Sequence, residues 1–222
     1  MLEAKSPVFS LPACPQGDAC PMQAELTRLR RELETLRTLV HTDELTGLFN
    51  YRHFTQSLDL EMERSRRSGK PVALLMLDLD HFKRFNDTWG HEVGNKTLRH
   101  VARLIQNTVR RLDIPCRYGG EEFAIILPDT SLHAACVLAE RLRSVVADTP
   151  LPLEEKELAL HCSIGVDVHT SADRDDARGF VRRADAWLLQ AKTQGRNRVC
   201  HAVERAATHV GGEERDLLLR GD

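Results

Sequence analysis

The features that would place a protein in a membrane, outside the cell or on nucleic acid are missing from this chain. No uninterrupted apolar run is longer than that from Val72 to Leu77, which falls far short of the roughly 20 residues a bilayer helix needs, so no segment reads as membrane-spanning. No charge of one sign dominates. Lys plus Arg number 31 against 33 Asp plus Glu, for a net charge of -2. Without a global positive field, nucleic acid is not expected as a partner, and charge must act locally. The first ten residues lack an apolar stretch of the signal-peptide kind, which makes a reducing, cytoplasmic setting the expectation. Patterned cysteine is also lacking. Cys116, Cys136, Cys162 and Cys200 lie singly among apolar residues and read as small core side chains. Cys14 and Cys20 are spaced too widely for the usual zinc knuckle.

What is present suffices for one well-cored domain with a short extension, in 222 residues. Residues 1–21 hold four of the nine Pro without apolar periodicity and read as a flexible leader, too short for a sensing domain. Over residues 22–41, Leu26, Leu29, Leu33, Leu36 and Val40 fall at a and d of a heptad. Glu25 and Glu32 then face Arg30 and Arg37 of a parallel partner, so this segment is expected to be a dimerising coiled-coil helix. A compact domain is expected over 42–203. Asn50 caps a helix that Gly69 to Pro71 stop. Val72 to Leu79 reads as a buried strand and 93–111 as a helix. Residues 116–117 and 123–127 read as strands joined at Gly119 and Gly120, and 131–147 as a helix. The alternation of Leu158, Leu160, Cys162 and Ile164 suggests one half-buried strand, followed by a helix over 177–192 and a closing strand over 199–202. Helices interleaved with a mostly antiparallel sheet give an α+β fold, an α/β sandwich. Residues 204–222 read as a tail.

Two segments carry chemistry. A continuous apolar strand that ends in Asp78 and Asp80 delivers carboxylates to a sheet edge, where they are costly unless paired or metal-bound. The two share one strand face, and only one need be a ligand. The second segment places Gly119 and Gly120 at a tight turn that admits positive φ and close approach of a phosphate. Glu121 and Glu122 then project from opposite sides of the emerging strand, and one of them can meet Asp78. The same tetrapeptide recurs at Gly211 to Glu214 with no strand after it, and that copy reads as tail.

Together with Asp43 to Leu48, Asn86 to His91, Ser163 to Val166 and Ala191 to Asn197, these segments make the chain resemble a GGDEF domain, the diguanylate cyclase family. The resemblance runs over residues 42 to about 203. It implies a fold like the nucleotidyl-cyclase and polymerase palm, and condensation of two GTP into cyclic di-GMP with release of two pyrophosphates. It also implies that Asp78, the backbone carbonyl of Leu79 and Glu121 hold Mg²⁺ or Mn²⁺, two ions per half-site. Glu121, Glu122 and Lys83 take the catalytic places. Phe82, Asn86, Asn95, Gly119, Gly120, Lys192 and Arg196 take the substrate-binding places.

The chain departs from the family at Asn95, where Asp is usual. An amide offers guanine one acceptor and one donor where a carboxylate offers acceptors only. Weaker GTP binding or a relaxed choice between GTP and ATP is the expectation. Arg110 and Asp113 match the family's product-inhibition site for cyclic di-GMP. One domain supplies one half-site, so a homodimer is implied, with an upstream sensor protein as a further partner. The competing reading is an inactive module that binds cyclic di-GMP and signals by contact. The matches at Asp78, Lys83, Glu121, Glu122, Lys192 and Arg196 speak against it.

Overall fold

The computed structural model describes residues 21–39, 41–154 and 156–202, apart from the side chains at 21, 24 and 33–39. The leader with Cys14 and Cys20, the heptad side chains of Leu33, Leu36 and Val40, and the tail from residue 203 with its second Gly-Gly-Glu-Glu lie outside the described residues. The chain divides into two units between His41 and Thr42. In the first, helix α1 (Pro21–Leu39) leaves Met22 71% and Leu29 47% exposed, and Glu25 pairs within the helix with Arg28 at 3.2 Å.

The second unit is built on a five-stranded sheet in the order β2-β3-β1-β6-β7. The central strand β1 (Val72–Leu79) is buried along its whole length and pairs antiparallel with β3 (Glu122–Leu127) and β6 (Cys162–His169). β2 (Ile114–Gly119) extends one edge antiparallel, and β7 (Val199–His201) closes the other in parallel. Side chains of a strand alternate between faces, and here they sort into two cores. Leu75 and Leu77 pack with Val101 and Ile105 of α4 (His91–Thr108) and with Leu142 of α5 (Leu132–Asp148). Leu74 and Met76 pack with Phe54 and Leu58 of α2 (Tyr51–Ser68) and with Phe180 of α6 (Ala177–Thr193). Short α3 (Phe82–Trp89) follows β1 directly. The result is the α/β sandwich expected, with helices on both faces of a mostly antiparallel sheet.

Local signals explain most element ends. Asn50 accepts from the His53 amide to cap α2, and Gly69 at φ 75° ends it. Ser131 and Asp176 cap α5 and α6. Three expectations need correction. The helix expected over 93–111 starts at His91 and stops at Thr108, where Val109 turns to extended backbone. The single strand expected through Leu158 to Ile164 is two. Lys156–Leu158 (β5) pairs with Leu151–Leu153 (β4) in a separate ribbon, and β6 begins only at Cys162. Both Leu158 and Leu160 are buried against the same core, so their alternation came from burial rather than from one continuous strand. Finally, only Gly120 of the two turn glycines has positive φ, at 48°.

Helix α6 lies directly on β6. A Cβ at Gly165 would stand 2.2 Å from the Leu188 nitrogen and 2.3 Å from the Ala184 oxygen, so any side chain there displaces the helix. Farther along β6, Asp167 and His169 are buried beside α6, and Arg183 reaches Asp167 at 2.5 Å and bonds Asp175 as well. His169 is fully enclosed, with no hydrogen bond on either ring nitrogen among the described residues and Asp175 Oδ1 3.5 Å from Nδ1. Burial lowers its pKa from 6.5, against the pull of Asp175 and Asp173 and with the help of Arg66 and Arg183. The unfolded chain therefore takes up this proton first. Stability is complete above the free-imidazole value and falls as pH drops below it, by at most about 1.4 kcal/mol per pH unit for one proton. Thermal melts between pH 8 and 5 should show this slope, and His169→Leu should flatten it.

Candidate active site

β1 and β3 deliver the site through their register. Asp78 stands opposite Glu122, and directly opposed residues of an antiparallel pair project from the same face. Of the two turn carboxylates, the one directly opposite Asp78 is thus Glu122. Glu121 precedes it in the turn, half-buried at the same end of the strand pair. The shared face is the one covered by α6, whose last turn brings Lys192 Nζ to 2.8 Å from Asp78 Oδ2. Asp78 is only 7% exposed. Burial pushes its carboxyl pKa up, while Lys192 and, more weakly, Arg196 pull it down. Glu122 is pushed up by burial and then by Asp78 and Asp185. A recess of about 310 Å³ opens beside this group, lined by Glu122, Asp185, Lys192, Arg182 and Leu189.

The turn itself is braced. Arg117 donates from Nε at 3.1 Å and Nη2 at 2.9 Å to the Gly120 carbonyl, and from Nη1 to both oxygens of Asp43 at 3.2 and 3.1 Å. The Asp43 to Leu48 segment is thereby tied to the Gly120 turn, a link no local pattern discloses. A Cβ at Gly119 would meet nothing within 4 Å, so the space before the turn is open.

Asp80 plays a different part from Asp78. Its carboxylate accepts from Ser163 Oγ at 2.7 Å and from the Asn197 backbone at 2.9 Å. At the start of α3, His81 is left-handed at φ 58° and offers no side-chain cap to the helix amides, and Lys83 is exposed beside them. Phe82 is core, 7% exposed and stacked on Phe85, so its backbone is what it can offer a ligand. Asn86 leans on Gly94, where a Cβ would stand 1.9 Å from Oδ1, and that oxygen is buried without a partner among the described residues. Asn95 follows, exposed on α4.

The Arg110 and Asp113 pair lies elsewhere, on a recess of about 90 Å³ shared with Thr130, Val137 and Arg141. Asp113 is buried and accepts from the Arg110 backbone at 2.7 Å. Burial raises its carboxyl pKa against the pull of Arg110 and Arg141. α4 ends before Arg110 and has no basic residue in its last turn, but Arg141 donates to the Thr108 carbonyl at its end at 2.6 Å, so Arg141 serves that helix terminus as well as this recess. Sequence reasoning missed Arg141, which comes from α5 and which no local motif announces.

Among the described residues, no three His, Cys, Asp or Glu group to hold a metal, and no helix is long and apolar enough to cross a membrane. The donors at the β1 end are oxygens of carboxylates on adjoining strands, already facing a cation in Lys192. Such a set fits a hard divalent ion that completes its shell with substrate phosphates and water.

A family model described as "Diguanylate cyclase, GGDEF domain" matches residues 40–198. Response regulator PleD of Caulobacter vibrioides is 39% identical over 199 residues, which cover 86% of this chain and 44% of PleD. Diguanylate cyclase DgcP of Pseudomonas aeruginosa is 38% identical over 178 residues, covering 80% of this chain and 26% of DgcP. A solved structure of the coiled coil and GGDEF domain of DgcB from Caulobacter crescentus, in complex with c-di-GMP, matches with a TM-score of 0.70 and 35% identity. That match covers 82% of this chain and 95% of that one. Diguanylate cyclase SiaD of Pseudomonas aeruginosa, in complex with its activator SiaC, gives 0.71 and 37%, over 82% and 69%. The chain belongs to the GGDEF-domain family, as its motifs indicated, and spans less than half the length of the two curated relatives.

Proposed function

We propose that the chain is a diguanylate cyclase that joins two GTP into cyclic di-GMP across a homodimer. The observation that carries this reading is the meeting of Asp78, Glu122 and Lys192 at one strand end, with Glu121 and Arg196 beside them. Each 3′-hydroxyl attacks the α-phosphorus of the other nucleotide, a new P–O bond forms, and pyrophosphate leaves with the electron pair of the broken bond. Glu121 and Glu122 are the acceptors at hand for the hydroxyl protons. Mg²⁺ or Mn²⁺, two ions per half-site, would be held by Asp78, the Leu79 carbonyl and Glu121, and would supply Lewis-acid polarisation of phosphate oxygens.

Lys192, Arg196 and Lys83 meet the triphosphate charge, reinforced by the uncapped amides of α3. Asn86, with its unpartnered Oδ1, reads the base together with Asn95. A single domain holds one nucleotide, so two must meet. The exposed Met22 and Leu29 of α1 are the surface on which a second copy pairs, and such tethering raises local concentration to the order of mM.

The test is to incubate the purified chain with Mg²⁺ and equal GTP and ATP and to identify products by mass spectrometry. Cyclic di-GMP is expected. Absence of any cyclic dinucleotide would leave the inactive binding module in its place, and a mixed GMP–AMP product would mark relaxed base choice at Asn95. Asn95→Asp is expected to lower the GTP KM by roughly 5-fold or more, the scale of one polar mismatch removed.

Cyclic di-GMP is expected to inhibit the reaction through Arg110 and Asp113, since an arginine fork and a carboxylate complement guanine edges and phosphate. Arg110→Ala should raise the half-inhibiting concentration by about tenfold or more and leave the uninhibited rate unchanged. Inhibition curves for the two proteins measure both quantities.

A further inference from the structure

The proposed chemistry leaves the Asp80 carboxylate unused. We propose that Asp80 is a positioning residue that holds the Arg196 loop at the active site. This rests on the reading that Arg196 meets substrate phosphate. Oδ1 of Asp80 accepts from Ser163 Oγ on β6 at 2.7 Å, and Oδ2 accepts from the Asn197 amide at 2.9 Å. Its own amide donates to the His161 carbonyl at 2.9 Å. One residue thus joins the end of β1, the start of β6 and the loop that follows α6.

That loop needs a tie. Arg196 at φ 64° and Asn197 at φ 45° are consecutive non-glycine residues in the left-handed region, a conformation that L-residues keep only when their surroundings enforce it. The Arg196 amide bonds the Ala191 carbonyl at 3.0 Å, and Arg143 Nη1 bonds Asn197 Oδ1 at 3.0 Å. Among the described residues, Asp80 makes the hydrogen bond that links the loop to the end of β1, while the Ile164 amide donates to the Arg198 carbonyl at 2.9 Å and ties the far end of the loop to β6. The Asp78 carboxyl feels the Arg196 charge. Both oxygens accept from donors of β6 and of the loop, and the part assigned to Asp80 is this pair of acceptors, as distinct from that of a metal ligand.

The two roles are separated by Asp80→Asn and Asp80→Ala. The amide can accept from the Asn197 N–H through Oδ1 and donate to Ser163 Oγ through Nδ2, so both links survive without charge. Alanine loses both. Titration with a non-hydrolysable GTP analogue and Mg²⁺ is expected to give Asp80→Asn within about 3-fold of the natural protein. Asp80→Ala should bind on the order of 10- to 100-fold more weakly, with KM rising more than kcat falls. Arg196→Ala added to Asp80→Ala should cost little more, because the two act as one unit. Mn²⁺ binding followed by electron paramagnetic resonance should be unchanged in Asp80→Asn.

The proposal is overturned if Asp80→Asn binds as weakly as Asp80→Ala, if it loses Mn²⁺, if Asp80→Ala binds normally, or if the double variant is additive. If melting shows Asp80→Ala unfolded, Ser163→Ala decides: about 3- to 10-fold weaker analogue binding supports the tie, and unchanged binding removes it. Failure of the natural protein to bind the analogue would instead overturn the cyclase reading, and the role of Arg196 with it.

Discussion

Asp78→Asn is expected to lower cyclic di-GMP formation by about 10³-fold or more, the several kcal/mol attributed to metal-assisted charge stabilisation. The volume and the strand are kept, so the loss reads charge alone. Asp78 is the enclosed carboxylate of the site, at the end of a strand buried on both faces, and Glu122 cannot move into its place without unpairing β3. The same change strands the Lys192 ammonium, which faces Asp78 at 2.8 Å. Product formation by mass spectrometry and Mn²⁺ binding by electron paramagnetic resonance should fall together. A variant that still binds Mn²⁺ and turns over normally would remove Asp78 from the mechanism.

Lys192→Met should produce opposite changes in two affinities. In the ligand-free chain the ammonium sits on the carboxylate proposed for the metal, so an ion arriving alone must displace it. Losing one partner of a largely buried pair leaves an uncompensated charge. A divalent ion then relieves that charge, and Mn²⁺ affinity without nucleotide should rise by about tenfold. GTP affinity should fall by roughly 10- to 100-fold, since a charge-assisted contact to phosphate is gone. Titrations with the ion alone and with a GTP analogue measure each. A fall in both would mean that Lys192 does not compete at Asp78.

The placement of the site was legible where chemistry and periodicity coincided. The Val72 to Leu79 strand ends in Asp78, and the turn at Gly120 enters β3, both as read from the residues. Which glutamate faces Asp78 depended on cross-strand register, which single-strand patterns do not contain. The partners of Asp80 lie on β6 and after α6, so spacing could suggest that one of the two aspartates was not a ligand but not what it does instead. β6 runs on to His169 in its pairing with β1, and Arg183, from α6, accommodates the buried Asp167. A polar residue in a core looks like a strand end until its partner is seen. Arg141 was missed for the same reason, since a helix residue acquires its neighbour only on folding.

The bare backbone at Gly165 constrains how this domain can be re-engineered. Exchanging glycine for alanine commonly stiffens a fold by restricting its unfolded chain. Here the added methyl would enter the ledge that supports Leu188 and Ala184 and would swing the whole rod that carries Lys192. A stabilisation campaign guided by composition would choose this residue early, and its first sign of trouble would be lost catalysis in a protein that still melts as a unit.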